Sequence, residues 1–139
     1  MMNKVWSELN KTVQAQLRKE DTYKAGIGTF IDLRNQLMEI LTSFREELSR
    51  EDFDKIPFLN SDGYHNKTIA YSIWHIFRIE DIVAHTLISE KEQVFFSGHY
   101  RERINSPIIT TGNELIKEQI ADFSKRLDLK ELYSYIFEV

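Results

Sequence analysis

Four histidines, His65, His75, His85 and His99, have the widest chemical reach in this chain. An imidazole can ligate a divalent metal or relay a proton near neutral pH. His75 falls between apolar neighbours, turned away from Ile73, Phe77, Ala84 and Leu87 and toward Tyr71, Ile79 and Ile82. A histidine so placed is more often a satisfied core residue than a ligand. His75 and His85 cannot share one ion while both stay on one helix, because ten residues rise about 15 Å. His65 precedes that helix and His99 follows it in a long connection, and neither H-x-x-x-H nor H-E-x-x-H occurs. Asp81 and His85, four apart, can pair as carboxylate and imidazole, as a catalytic dyad or as the commoner surface pair. Glu80 and Arg34 are charges stranded in two apolar stripes. The expectation is a buried interhelical pair that fixes register, the alternative being that each snorkels separately to water. Phe95, Phe96, His99 and Tyr100 either line a pocket or partner surface, or plug the end of a bundle. There is no Gly-rich phosphate loop and no G-x-S-x-G.

The elements that position these residues read as helices. The chain has 139 residues, the size of one domain, and only 5 Gly and 2 Pro, too few turns for many short strands. Hydrophobic residues at 42% and charged residues at 29% describe a globular mixture. A net charge of −4 without a basic run argues against nucleic-acid binding. The absence of cysteine removes disulfide scaffolds, thiolate metal sites and cysteine nucleophiles, and fits a reducing cytoplasm. No signal peptide and no apolar run of membrane-spanning length is visible, so a cytoplasmic, non-membrane protein is expected.

Apolar spacing predicts a short helix over residues 6–17 and a long one starting at Asp21 or Thr22 and running to Leu48. Ile27, Phe30, Ile31, Leu37, Met38, Leu41, Phe44 and Leu48 form its inner face. Gly26 and Gly28 weaken its first turns. Ser49 caps a short helical turn, and residues 60–63 (Asn60-Ser61-Asp62-Gly63) form a turn cluster. Residues 67–89 read as a second long helix, apolar in nearly every direction and therefore enclosed. The pattern then breaks for more than twenty residues, longer than a compact domain ordinarily tolerates. Caps at 110–113 predict a helix through Leu127 with Leu115, Ile116, Ile120, Phe123 and Leu127 inward. Asp128 caps another, carrying Leu129, Leu132, Tyr133, Ile136 and Phe137. The apolar stripe still runs at Val139, which reads as a bundle whose fourth long helix is cut short. The other reading is a short protein that dimerises to cover that face.

The run Thr68-Ile69-Ala70-Tyr71-Ser72-Ile73-Trp74-His75-Ile76-Phe77-Arg78-Ile79-Glu80-Asp81 resembles the second helix of the DinB-like (DinB/YfiT) superfamily. The long connection from Ser89 to Gly112 resembles the crossover of its up-down-down-up topology. The resemblance implies a four-helix bundle binding nickel or zinc through three histidines, one on the second helix and an H-x-x-x-H pair on the last. His75 matches the first position; the pair has no counterpart in this sequence. Related bundles include thiol-dependent transferases, and here the thiol would be a small-molecule cofactor, since the chain has no cysteine.

The expectation is thus one all-α domain over residues 1–139, a DinB-like bundle incomplete toward its C-terminus, forming a homodimer through exposed apolar faces. Two functions are open. One is a metal-dependent thiol transferase or hydrolase with His75 as a ligand. The other is a non-catalytic helical interaction module without metal.

Overall fold

A computed structural model of the chain describes residues 2–58 and 67–139, all helix, turn and loop, with no strand among them. The turn cluster at 60–63 and His65 lie outside the described residues. The chain divides into two compact units, Met1–Leu48 and Ser49–Val139.

The first unit is a hairpin of α1 (Met2–Leu17) and α2 (Tyr23–Glu47). Thr22 flanks α2, but its side chain does not cap the helix; the hydroxyl donates to the Gln16 carbonyl at 2.9 Å and so ties the turn to α1. Gly26 is buried where the helices cross. A Cβ there would stand 2.9 Å from Leu17 Cδ2, so the missing side chain permits the close approach. The buried residues of α2 are Gly26, Leu33 and Leu41, a different line from the expected inner face. Leu37, Met38 and Phe44 are half-buried, while Ile27, Phe30 and Ile31 are exposed. A two-helix hairpin shields only one stripe per helix, and here that stripe follows the glycine contact.

In the second unit Ser49 caps α3 (Arg50–Asp54) as expected. Its hydroxyl accepts from Asp52 N–H at 3.3 Å while the Asp52 carboxylate accepts from Ser49 N–H at 2.9 Å. Arg50 donates to the carbonyls of Leu127 and Ser124 at 2.6 and 2.5 Å, satisfying acceptors at the end of α7 (Glu118–Arg126). Thr68 caps α4 (Ile69–Asp81) through Tyr71 N–H at 3.1 Å, and its hydroxyl also meets that of Ser124.

The helix continues beyond Asp81 as a π-helical segment, Ile82–Ile88. It is not enclosed on all sides. Ala70, Tyr71, Ile73, Trp74, Phe77, Arg78 and Asp81 are buried, whereas Ile76, Ile79, Val83, Leu87 and Ile88 are exposed. The long connection holds two short helices, α5 (Val94–Ser97) and α6 (Tyr100–Arg103). The next helix, α7, starts later than the Thr110–Asn113 caps suggested. The Thr110 hydroxyl bonds Glu114 at 2.5 Å instead, Gly112 turns the chain at φ +81°, and Lys117 at φ 45° immediately precedes the helix. Ile120, Phe123 and Leu127 are buried as expected, but Ile116 is exposed. Asp128 caps α8 (Leu129–Glu138) through Glu131 N–H at 3.0 Å. Leu132, Tyr133 and Ile136 face inward, as does Tyr135, while Phe137 is exposed.

Candidate functional site

His75 sits on α4 among buried neighbours, itself half-exposed. Its ring lies parallel to Tyr71, one turn earlier, at a centroid distance of 5.5 Å and an interplanar angle of 11°. Nδ1 lies 2.5 Å from the Thr111 carbonyl oxygen. A carbonyl only accepts, so Nδ1 carries the hydrogen and the Nε2 lone pair is left for another partner. This is the arrangement that outer-shell acceptors impose on metal-ligating histidines.

The connection that brings Thr111 here is itself held to α4. The Tyr71 hydroxyl donates to the Gly112 carbonyl at 2.9 Å, and Arg78 Nη2 donates to the Ile109 carbonyl at 2.7 Å. Burial, with the Glu114 charge adding, raises the Tyr71 hydroxyl above its ordinary pKa, so it remains a donor.

A second polar cluster lies deeper. Arg78 and Asp81 are almost completely buried and contact each other at 3.4 Å. Asp81 accepts from the backbone N–H groups of Val94 and Phe95, at 2.9 and 2.8 Å, and from the Tyr135 hydroxyl at 2.8 Å. Arg78 also donates to Gln93 Oε1 at 2.9 Å and stacks over the Phe95 ring at 4.1 Å. Burial is the main influence raising the Tyr135 hydroxyl pKa; Asp81 adds to it and Arg78 opposes it.

Arg78 Nε is left without a partner among the described residues, but the remaining bonds of the cluster bind α4, the start of α5 and α8 together. Asp81 and His85 come together as their spacing predicts, but Asp81 is enclosed and only His85 reaches the surface. The His85 Nδ1 lies 2.8 Å from an Asp81 oxygen at the rim of the cluster, but off the line of a hydrogen bond. Sequence reasoning missed Arg78 and Tyr135. The signal was a charge and a hydroxyl at helix positions whose neighbours are apolar.

Phe95 and Tyr100 are buried against Tyr135 at 5.7 and 5.2 Å between ring centroids, closing the core as expected of a plug. Phe96 and His99 are exposed, and His99 adopts the left-handed conformation ahead of α6. Arg34 and Glu80 are each half-buried, one in each unit.

A divalent ion takes three or more protein donors. Among the described residues no group of three His, Cys, Asp or Glu side chains is placed to hold one. His75 offers one suitably oriented donor and not a complete site. No helix among the described residues is long and apolar enough to cross a membrane. No protein-family model, curated protein or solved structure matches the chain.

Proposed function

We propose that this chain is a DinB-like, divalent-metal-dependent protein of the thiol-transferase or hydrolase type, built on an up-down-down-up four-helix bundle. His75 supplies one ligand, through Nε2, to nickel or zinc. The observation that carries this reading is the contact between His75 Nδ1 and the Thr111 carbonyl, which leaves Nε2 as the acceptor on a half-exposed ring. The Trp74-His75-Ile76-Phe77-Arg78 string and the crossover-like connection, pinned to α4 at Ile109 and Gly112, support it. Among the described residues no set of three donors is assembled around His75, and no reaction step is derived. A bound ion would lower the pKa of a small-molecule thiol toward thiolate.

A second reading is favoured by the exposed apolar residues Ile76, Ile79, Val83, Leu87 and Ile88 along α4 and its π-helical continuation. These fit a non-catalytic helical module that pairs with a second copy of the chain.

Metal analysis decides between them. After growth with nickel or zinc, the first reading expects a stoichiometric ion that His75→Ala removes while circular dichroism is unchanged. A wild-type chain without stoichiometric metal overturns it, and a dimer in sedimentation under that outcome favours the second.

A further inference from the structure

Residues 109–112 meet α4 at three successive points. The Ile109 carbonyl takes Arg78, the Thr111 carbonyl takes His75, and the Gly112 carbonyl takes the Tyr71 hydroxyl. Residues 71, 75 and 78 lie on neighbouring turns of one helix face, so the segment runs along that face as a strap.

Two consecutive carbonyls, at 111 and 112, both turn toward the helix. The positive φ of Gly112 permits this, because it reverses a peptide that an extended chain would point away. The strap also lies too close for any larger residue. A Cβ at Gly112 would stand 2.9 Å from Trp74 Cζ3 and 3.0 Å from Tyr71 Cε2, and both rings are enclosed and unable to yield. Gly112 is therefore fixed by conformation and by space at once.

We propose that this strap sets the tautomer of His75, with Gly112 and Tyr71 as positioning residues that hold the Thr111 carbonyl against Nδ1. The hydrogen stays on Nδ1 and the lone pair on Nε2 of a half-exposed ring. The inference deepens the metal reading by naming what prepares the ligand, but the tautomer is a property of the empty protein. Tyr71 contributes twice, with its ring stacked under the imidazole and its hydroxyl on the strap.

The test is nitrogen-15 NMR of labelled histidine in the metal-free chain at about pH 8, where an ordinary histidine is neutral. Wild-type protein is expected to show His75 with a protonated Nδ1 and a bare Nε2. Tyr71→Phe keeps the stacked ring and removes only the hydroxyl. It is expected to lower the ratio of the two tautomers about fivefold, the population equivalent of one hydrogen bond. Gly112→Ala, where it folds, should lower it further. Ser49→Ala, a change outside the strap, should leave the ratio alone.

A wild-type His75 protonated on Nε2 overturns the proposal, as does a folded Tyr71→Phe with the wild-type ratio. Metal analysis separates this from the parent reading. A chain that loads no ion yet shows the shift keeps the strap and loses the metal. One that loads an ion through a histidine whose tautomer ignores Tyr71 loses only the strap.

Discussion

In the hairpin of α1 and α2, Tyr23, Ile27, Phe30 and Ile31 face water. In the second unit Tyr71, Trp74, Phe77, Phe95 and Tyr135 are almost wholly enclosed, and the charges of Arg78 and Asp81 are enclosed with them. Composition does not explain the contrast, since both regions are rich in apolar residues at helical spacing. The number of neighbours does. Within the first unit each helix has one partner, and one partner covers one stripe. In the second unit α4 is met by α3, α5, α7 and α8, so even the charges of Arg78 and Asp81 are enclosed there, held by each other and by backbone and hydroxyl partners. Apolar spacing marks which residues can be buried; the count of packed elements determines which of them are.

The strongest way to test that contrast is at Asp81. Asp81→Ala leaves the enclosed Arg78 charge without its carboxylate and frees the Val94 and Phe95 N–H groups. It should cost about 3–5 kcal/mol, read from the shift in urea midpoint. A loss below ~1 kcal/mol would mean that the cluster is open to water and the two units are not different in kind.

Ser49→Ala probes a cap at the edge of the same unit. It should cost about 1 kcal/mol and alter the acid limb of stability. The Ser49 hydroxyl, and then its backbone N–H, hold the Asp52 carboxylate below its ordinary pKa of 3.8. A depressed folded value adds stability above the unfolded pKa and loses it as pH falls through the folded one. The variant should therefore lose less than wild type when acidified below about pH 4. Equal acid sensitivity in the two proteins would contradict the cap.

The smallest effect belongs to the hairpin. Phe30, 56% exposed, should tolerate alanine within about 0.5 kcal/mol in the same urea experiment. A cost of ~3 kcal/mol would show that its face is covered in solution, as a homodimer would require, and the contrast between the units would narrow.

What could be read from the sequence was mostly local. Ser49 and Asp128 announce their helices because capping chemistry acts within three residues, and both hold in the structure. The inward positions Ile120, Phe123, Leu132 and Ile136 follow from one amphipathic stripe on each short helix. The α2 face was not legible, because the wheel gives the centre of apolarity and not the line along which Gly26 lets α1 approach. The Thr110–Asn113 caps misled for a tertiary reason. Thr110 bonds Glu114, and the carbonyls at 111 and 112 are drawn to His75 and Tyr71.

His75 was legible as the chemically interesting histidine, whereas its partner was not. A backbone carbonyl thirty-six positions away leaves no trace in residue identity. The Arg78–Asp81–Tyr135 cluster was hidden for the opposite reason. Its members are ordinary surface types whose burial is decided by α5 and α8, elements that follow in the chain.

The segment Ile82–Ile88 changes the phase of the longest helical run in the second unit. Ser89 N–H reaches back five residues to the Ala84 carbonyl at 3.1 Å, so each coil there holds more residues than the α-helical coil before it. Leu87, which a constant hundred-degree step would align with Ile73 and Phe77, is instead rotated into solvent. Removing a single residue between 82 and 88 would restore the narrower coil while leaving later side chains close to their present aim, because the wider coil holds about one residue more. The wide coil is thus a length adjuster, taking up one residue between Asp81 and the Val94 and Phe95 N–H groups that Asp81 receives.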